Sequence, residues 1–425
     1  MSRPVVRLAC YGYLGSGNLG NDASLETLVA WLAAEHPGVE PRCITLAPDA
    51  VELRYKIPSV PLAALAPRSG PDASASPARK LAGRLLDLPR SLRLAGTADA
   101  VVVPGMGVLE ESLGVRPWGL PAWLTLLALA CRLRRRPFVL LDVGAEPASD
   151  PLTRRLFVAT ARLATHVSVR DSWSAESLHA AGLHRALIIA PDLAFAHPCP
   201  RDTAPEPGLV AVGVMAYYGR RGDPVTGTPL RQAYVNILTT ALLRLLDDGF
   251  RLMLLGGDLL DTEVTDELAD VLARARPDLP PGRVTVPPFT TFTEVSAALA
   301  RAEVVVASRF HTLIAALRLR RPTVSVGYSA KSARLLRSLH LEDYHTGIED
   351  LDATWLVDRV HRARREAGEL TGRLDDAVGD HTAQVLDLLR RVARHDLRLP
   401  VPPPVPPPVP RTGHQDDPSE DRTPA

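Results

Sequence analysis

Residues 303–336, EVVVASRFHTLIAALRLRRPTVSVGYSAKSARLL, gather cationic and hydrogen-bonding side chains at a spacing that could do chemistry. The stretch reads as strand, short loop, helix, strand, short loop, helix, so both loops emerge on the same edge of a parallel sheet. Ser308, Arg309 and His311 fall at the first loop and Lys331 at the second, each at a helix start. Helix N-termini favour anions by ~0.3–1 kcal/mol, and Arg, His and Lys add charge-assisted hydrogen bonds. Taken alone, Lys331 reads as a solvated helix side chain and His311 as a capped or packed imidazole. On adjacent loops of one sheet edge they make an anion site.

A second candidate lies near the start of the chain. PVVRLACY reads as a buried strand, and GYLGSGNLG at 12–20 follows it, with Gly15, Gly17 and Gly20 spelling G-x-G-x-x-G. A dinucleotide-binding fold places an acidic residue at the end of its second strand, about 20 residues past the glycines. Here RCITLA is followed by Pro48 and then Asp49, 29 residues beyond Gly20, and that spacing argues against NAD. The loop stays open between a strand-to-helix turn with glycines where no side chain fits and a phosphate or sugar contact. Asn18, Asn21 and Asp22 carry it into the helix, which Asp22 or Asn21 is expected to cap.

The elements that must position these loops alternate along the chain. Strand-like runs VVRLACYG, RCITLA, ADAVVVPG, PFVLLDVG, HVSVR and ALIIAPD are separated by helical stretches such as DASLETLVAWLAAEH, where Leu25, Leu28, Val29 and Leu32 share a face. HPCPRDTAPEPG at 197–208 breaks the pattern, and LVAVGVMAY restarts it. The order predicts an α/β protein with two Rossmann-like parallel-sheet domains facing a cleft, over 1–196 and 209–345, joined by a linker at 197–208. Helices over 346–398 close the fold, and a Pro-rich tail, PVPPPVPPPVP and beyond from 399 to 425, is expected to be disordered. Ligands in such sheets sit beyond the carboxyl ends of the strands, where the candidate loops emerge.

Composition removes several function classes. A chain of 425 residues suits two cores, and 46% hydrophobic residues exclude a mostly disordered one. With 49 basic and 48 acidic side chains there is no bulk field for nucleic acid, so anion recognition must be local. Cys10, Cys43, Cys131 and Cys199 are scattered with no metal-ligand spacing, which predicts reduced thiols and no metal site. The N-terminus runs straight into a strand without an apolar leader, which predicts a cytoplasmic protein. WGLPAWLTLLALAC at 118–131 is shorter than the ~20 residues of a membrane span and reads as a buried helix. RLRRR directly after it could rest a helix end on the inner face of a membrane, so membrane contact is at most peripheral.

GSGNLGNDA, SVRDSWSAESL at 168–178, APDLAF at 190–195, and SRFHTLIAAL followed by VGYSAK occur in this order, and in them the chain resembles the polysaccharide pyruvyl transferase family. The resemblance spans residues 11–336. It implies a GT-B-like fold and transfer of a pyruvyl group from phosphoenolpyruvate, a co-substrate needing no further cofactor, to a sugar. The product would be an exopolysaccharide or cell-wall polysaccharide, made on a lipid-linked or nucleotide-linked acceptor. The first domain would take the acceptor and the second the donor. Carried over residue by residue, Arg170 in SVRD, His311 in SRFH and Lys331 in GYSAK hold phosphoenolpyruvate, with Ser308 and Arg309 beside them. Gly15, Gly17, Asn18, Gly20 and Asn21 then form a turn on the sugar side. His311 is the expected general acid and base, and Asp22 the second candidate, orienting or deprotonating the acceptor. Two departures stand out: Asn21-Asp22 replaces the family's usual Asp-Glu, and VVVPGMGVLEES replaces its triple-glycine turn, which bears on acceptor recognition. A nucleotide-sugar glycosyltransferase on the same scaffold is the alternative. A non-catalytic glycan-binding or assembly protein would be free to lose Arg170, His311 and Lys331, and their presence argues against it.

Overall fold

The computed structural model of the protein describes residues 6–62, 77–110, 117–200, 203–219 and 224–400. The first half runs β1 (Val6–Gly12), α1 (Leu19–Glu35), β2 (Val39–Thr45), α2 (Pro48–Tyr55), β3 (Ser59–Pro61), α3 (Pro77–Thr97), β4 (Ala100–Pro104), α4 (Leu120–Leu133), β5 (Phe138–Val143), α5 (Pro151–Leu163), β6 (His166–Val169), α6 (Ser172–Ala180) and β7 (Ile188–Ile189). The second half continues with β8 (Leu209–Gly213), α7 (Pro224–Asp247), β9 (Arg251–Leu255), α8 (Leu259–Ala275), β10 (Val284–Thr285), α9 (Phe292–Ala300), β11 (Val304–Ala307), α10 (Phe310–Arg318), β12 (Thr323–Gly327), α11 (Ala330–Ser338), β13 (His345–Gly347), α12 (Ala353–Arg365) and α13 (Ala367–His395).

The strands form two sheets, ordered β3-β2-β1-β4-β5-β6-β7 and β10-β9-β8-β11-β12-β13, with parallel ladders throughout. β4 and β5 are buried along their whole length. Their sequences, AVVVP and FVLLDV, do not alternate, as a strand covered by helices on both faces requires. In each sheet the strand order reverses beside the first strand, at β1/β4 and at β8/β11. Loops leaving the carboxyl ends there diverge and open a crevice. This is the arrangement of two parallel-sheet domains that the alternating pattern predicts, and the GT-B-like one that the resemblance implies.

The start of α1 differs from the expectation. The helix begins at Leu19, and its cap is Asn18, whose side chain accepts from Gly20 N at 3.0 Å and Asn21 N at 3.4 Å. Asp22 is unavailable as a cap because its Oδ1 accepts from Gly15 N at 2.7 Å and folds the glycine loop back onto the first turn.

The apolar run at 118–131 contributes α4, which packs between α3 and α5. No helix among the described residues is long and apolar enough to cross a membrane. The two halves meet along a polar seam. Leu19 N donates to Gly257 O at 3.1 Å. Glu26 accepts from Phe292 N at 2.8 Å, Thr293 N at 2.9 Å and the Thr293 hydroxyl at 2.6 Å, so a carboxylate of α1 caps α9 of the other half. α13 runs back over the first half, where Thr382 donates to Phe195 O at 3.0 Å and Asp396 pairs with His166 at 3.0 Å. The four cysteines are free thiols, Cys10, Cys43 and Cys131 being buried. The proline-rich run expected after 399 lies, from residue 401 onward, outside the described residues.

Candidate active site

Each candidate side chain sits just past the carboxyl end of a strand, and the crevice brings several of them together. Glu110, in the connection after β4, is at the centre. Its Oε1 accepts from Arg170 Nη2 at 2.7 Å, just past β6, and its Oε2 accepts from Lys331 Nζ at 2.8 Å, in the first turn of α11. One buried carboxylate therefore joins a cation of the first half to a cation of the second. Arg170 Nη1 also donates to Asp192 Oδ2 at 3.3 Å, beyond β7, and Lys331 pairs with Glu146 at 3.1 Å. The Arg170 guanidinium lies over the Phe310 ring, 5.7 Å from its centroid.

His311, at the start of α10, completes the group. Its Nε2 is 3.7 Å from Asp192 Oδ2, too far for a hydrogen bond, and this buried nitrogen has no hydrogen-bond partner. The ring lies against Gly20 so closely that a Cβ there would be 2.3 Å from Nδ1. Gly107 and Gly144 do the same for the ion cluster, since a Cβ would fall 2.3 Å from the Glu110 carboxyl carbon or 2.2 Å from its Oε1. These glycines are required by close approach to polar side chains of the site.

The electrostatics follow from burial and pairing. Burial opposes ionisation of Glu110, yet Arg170 and Lys331 outweigh it and hold the carboxyl below the usual range. Burial is likewise overcome at Asp192, by His311 and then Arg170, and its pKa is lowered. Asp142, at the end of β5, behaves oppositely. It is solvent-inaccessible, and neither side-chain oxygen has a hydrogen-bond partner. Burial first and the Asp192 charge second push its pKa well up.

The remaining sequence candidates separate. Asn18, Gly20, Asn21, Arg170, Arg309, His311 and Lys331 line one cavity of about 120 Å³. Arg309 is held there by Asp261 through two hydrogen bonds, at 2.9 and 2.6 Å. Gly17 faces an adjoining cleft of about 280 Å³ between the halves. Gly15, at φ +70°, packs on Val51. Ser308 is buried beside the Tyr234 hydroxyl at 3.1 Å, away from the cavity lining. Asp22 is wholly buried under the glycine loop, where Arg54 at 3.1 Å and Tyr55 at 3.0 Å join Gly15 N in holding it. Burial raises its pKa against those three partners. In this arrangement Asp22 braces the loop. The sequence reading did not single out Glu110, Asp142, Glu146 or Asp192. The available signal was a lone carboxylate at the end of an apolar run, as in FVLLDVG and LIIAPDLAF.

No group of three or more His, Cys, Asp or Glu side chains among the described residues is placed to hold a metal ion. Comparison with curated proteins finds no match. Among solved structures, the fold is similar to a Listeria monocytogenes protein assigned as a UDP-N-acetylglucosamine 2-epimerase, with a TM-score of 0.60 at 13% identity over 93% of this chain and 98% of that one. It is also similar to the UDP-GlcNAc 2-epimerase of Neisseria meningitidis bound to UDP-GlcNAc, with a TM-score of 0.56 at 10% identity over 91% and 99%. A Rickettsia africae glycosyltransferase gives a TM-score of 0.55 at 12% identity over 93% and 98%. Identities this low establish a shared fold and nothing about ligands. The sequence pattern of polysaccharide pyruvyl transferases, by contrast, matches residues 18–330, from the helix cap Asn18 to the start of α11, and the chain belongs to the polysaccharide pyruvyl transferase family.

Proposed function

We propose that the protein transfers the pyruvyl group of phosphoenolpyruvate to two hydroxyls of a sugar, forming a ketal and releasing phosphate. The observation that carries this reading is the joining of Arg170 and Lys331 across the cleft, beside two helices whose N-termini lack a side-chain cap, α10 after Arg309 and α11 after Ser329. A phosphate and a carboxylate on one small molecule suit such a site. Lys331 also keeps a donor for a ligand, since it spends two N–H bonds on Glu110 and Glu146. The cavity of about 120 Å³ has room for a three-carbon anion, and the adjoining cleft of about 280 Å³ has room for a sugar.

In this reading His311 delivers a proton to the methylene carbon, which becomes the methyl group. The first sugar hydroxyl bonds to the neighbouring carbon and gives its proton back to His311. The carbon–oxygen bond to phosphate breaks, the second hydroxyl adds at the same carbon, and its proton leaves with the phosphate. Arg170 and Lys331 hold donor charge, Glu110 fixes the two cations relative to each other, and Asp192 orients Arg170 and faces His311. The test is incubation of the full chain with phosphoenolpyruvate and a panel of lipid-linked and nucleotide-linked sugars, following phosphate release and the mass of the sugar product. Pyruvyl addition with release of one phosphate per ketal is expected. Release of a nucleoside diphosphate from a nucleotide sugar, with phosphoenolpyruvate untouched, would overturn the reading.

A further inference from the structure

The outward side of α4 carries no polar residue along one stripe. Ala122, Leu126, Leu129 and Leu133 recur at helical spacing, Trp118 lies in the turn just before the helix, and none of the five is fully buried although α3 and α5 pack on either side. The two ends are the most open, Trp118 at 61% and Leu133 at 64% exposure. At 1.5 Å per residue the stripe is about 20 Å long. Trp123, in the first turns of α4, donates its indole N–H to Asp87 of α3 at 2.8 Å, which sets exposed Leu86 and Leu88 alongside. Isolated exposed leucines need no explanation, but a continuous apolar strip on a helix does.

The exposed charge at the far end of the strip is basic. Arg132, Arg134 and Arg135 are exposed at its far end, and none forms an ion pair with a described residue. Arg93 of α3 and Arg154 and Arg155 of α5 are exposed on the flanking helices. The acidic side chains nearest in these elements are already engaged, Asp87 by Trp123 and Asp99 by Arg136 at 3.2 Å. An apolar strip with a tryptophan at one end, flanked by exposed arginines, suits the boundary between headgroups and acyl chains of an anionic bilayer. We infer that the α3–α4 face docks the protein on an anionic lipid surface. A helix of 14 residues cannot span it, so α4 lies in the surface plane. Docking this way also has a functional sense. α4 follows the connection after β4 that supplies Glu110, so the Trp118 end is the end nearer the ion cluster, and a sugar carried on a lipid would meet the crevice from that side.

The test uses the full chain and sedimentation with vesicles of phosphatidylcholine alone or mixed with phosphatidylglycerol. Binding to the mixed vesicles is expected, weakening as salt rises. Leu133→Ser and Trp118→Ser, at exposed positions that leave the core intact, should abolish it. Arg134→Glu with Arg135→Glu should weaken it by at least about 25-fold, about fivefold per arginine lost from the surface. Equal binding to neutral vesicles, no binding at any phosphatidylglycerol fraction, or retention of binding in the Leu133→Ser and Trp118→Ser variants would each overturn the inference. So would sedimentation equilibrium showing a dimer that Trp118→Ser converts to monomer, because a second copy would then be what covers the strip. The readout is binding, independent of the reaction catalysed.

Discussion

Replacing Gly20 by alanine should cost rate beyond any loss of stability. Gly20 lies in the first turn of α1, where an alanine is favoured over glycine by about 0.5–1 kcal/mol. The added Cβ, however, would sit 2.3 Å from His311 Nδ1, 3.0 Å from its Cε1 and 3.0 Å from Asn18 Oδ1. Heavy atoms in contact prefer about 3.5 Å, so the ring must retreat by about 1 Å. The Phe292 and Phe310 rings, edge-on at 6.4 and 5.7 Å between centroids, limit where it can go. A displacement of that size at a proton-transferring group lowers the rate by about 10²-fold. The assay is phosphate release at saturating phosphoenolpyruvate and acceptor, alongside thermal melting. Gly372→Ala in α13, with nothing within 4 Å of the added Cβ, is the control and should leave kcat unchanged. A Gly20→Ala variant with wild-type kcat would refute the reasoning, since His311 would then not depend on the space that the glycine leaves.

Other expectations follow from the same geometry. Lys331→Ala should weaken donor binding by about 1.5–3 kcal/mol, read by calorimetry, with partial recovery of turnover at high donor concentration. His311→Ala should lower kcat without a matching loss of donor affinity; equal loss of both would make His311 a phosphate ligand. Glu110→Ala leaves Arg170 buried against a missing partner and should cost about 3–5 kcal/mol in a denaturant titration, whereas an unchanged midpoint would show that the cluster is not load-sharing. His197, buried between Thr27 and Thr293 at the seam, has its pKa lowered to about 4 by burial and then by Arg318. The folded state therefore binds fewer protons than the unfolded chain between about pH 4 and 6.5, and this contribution is present above that window and lost as pH falls through it. It amounts to about 3 kcal/mol, and a His197→Gln variant whose stability falls just as steeply over the window would disprove it.

Arg170→Ala looks from the sequence like a simple test of donor binding. The structure changes that view. Arg170 is buried and bonded to both Glu110 and Asp192, so its removal takes a partner from each of two buried carboxylates and confounds binding with folding. Lys331, with its side chain 13% exposed, is the cleaner probe. The glycines give a parallel lesson. G-x-G-x-x-G marks a tight loop correctly, yet the reason for Gly20 is an imidazole nearly three hundred residues away, and no local pattern could reveal it.

The alternation of strands and helices, the restart after residue 208, and the loops at which Arg170, Arg309, His311 and Lys331 appear are all legible in the chain. Those features are local: they depend on apolar periodicity and on residues at strand and helix ends. Folding adds what the chain does not show: Asn18 rather than Asp22 caps α1, Asp22 holds the glycine loop, Ser308 faces Tyr234, and Glu110 unites the two cations. A carboxylate on a loop carries no mark of the partner it will meet. Its role is fixed when two sheets, folded from distant parts of the chain, turn their carboxyl ends toward one crevice, where removal from water makes an unpaired charge costly and so dictates which charges must sit together.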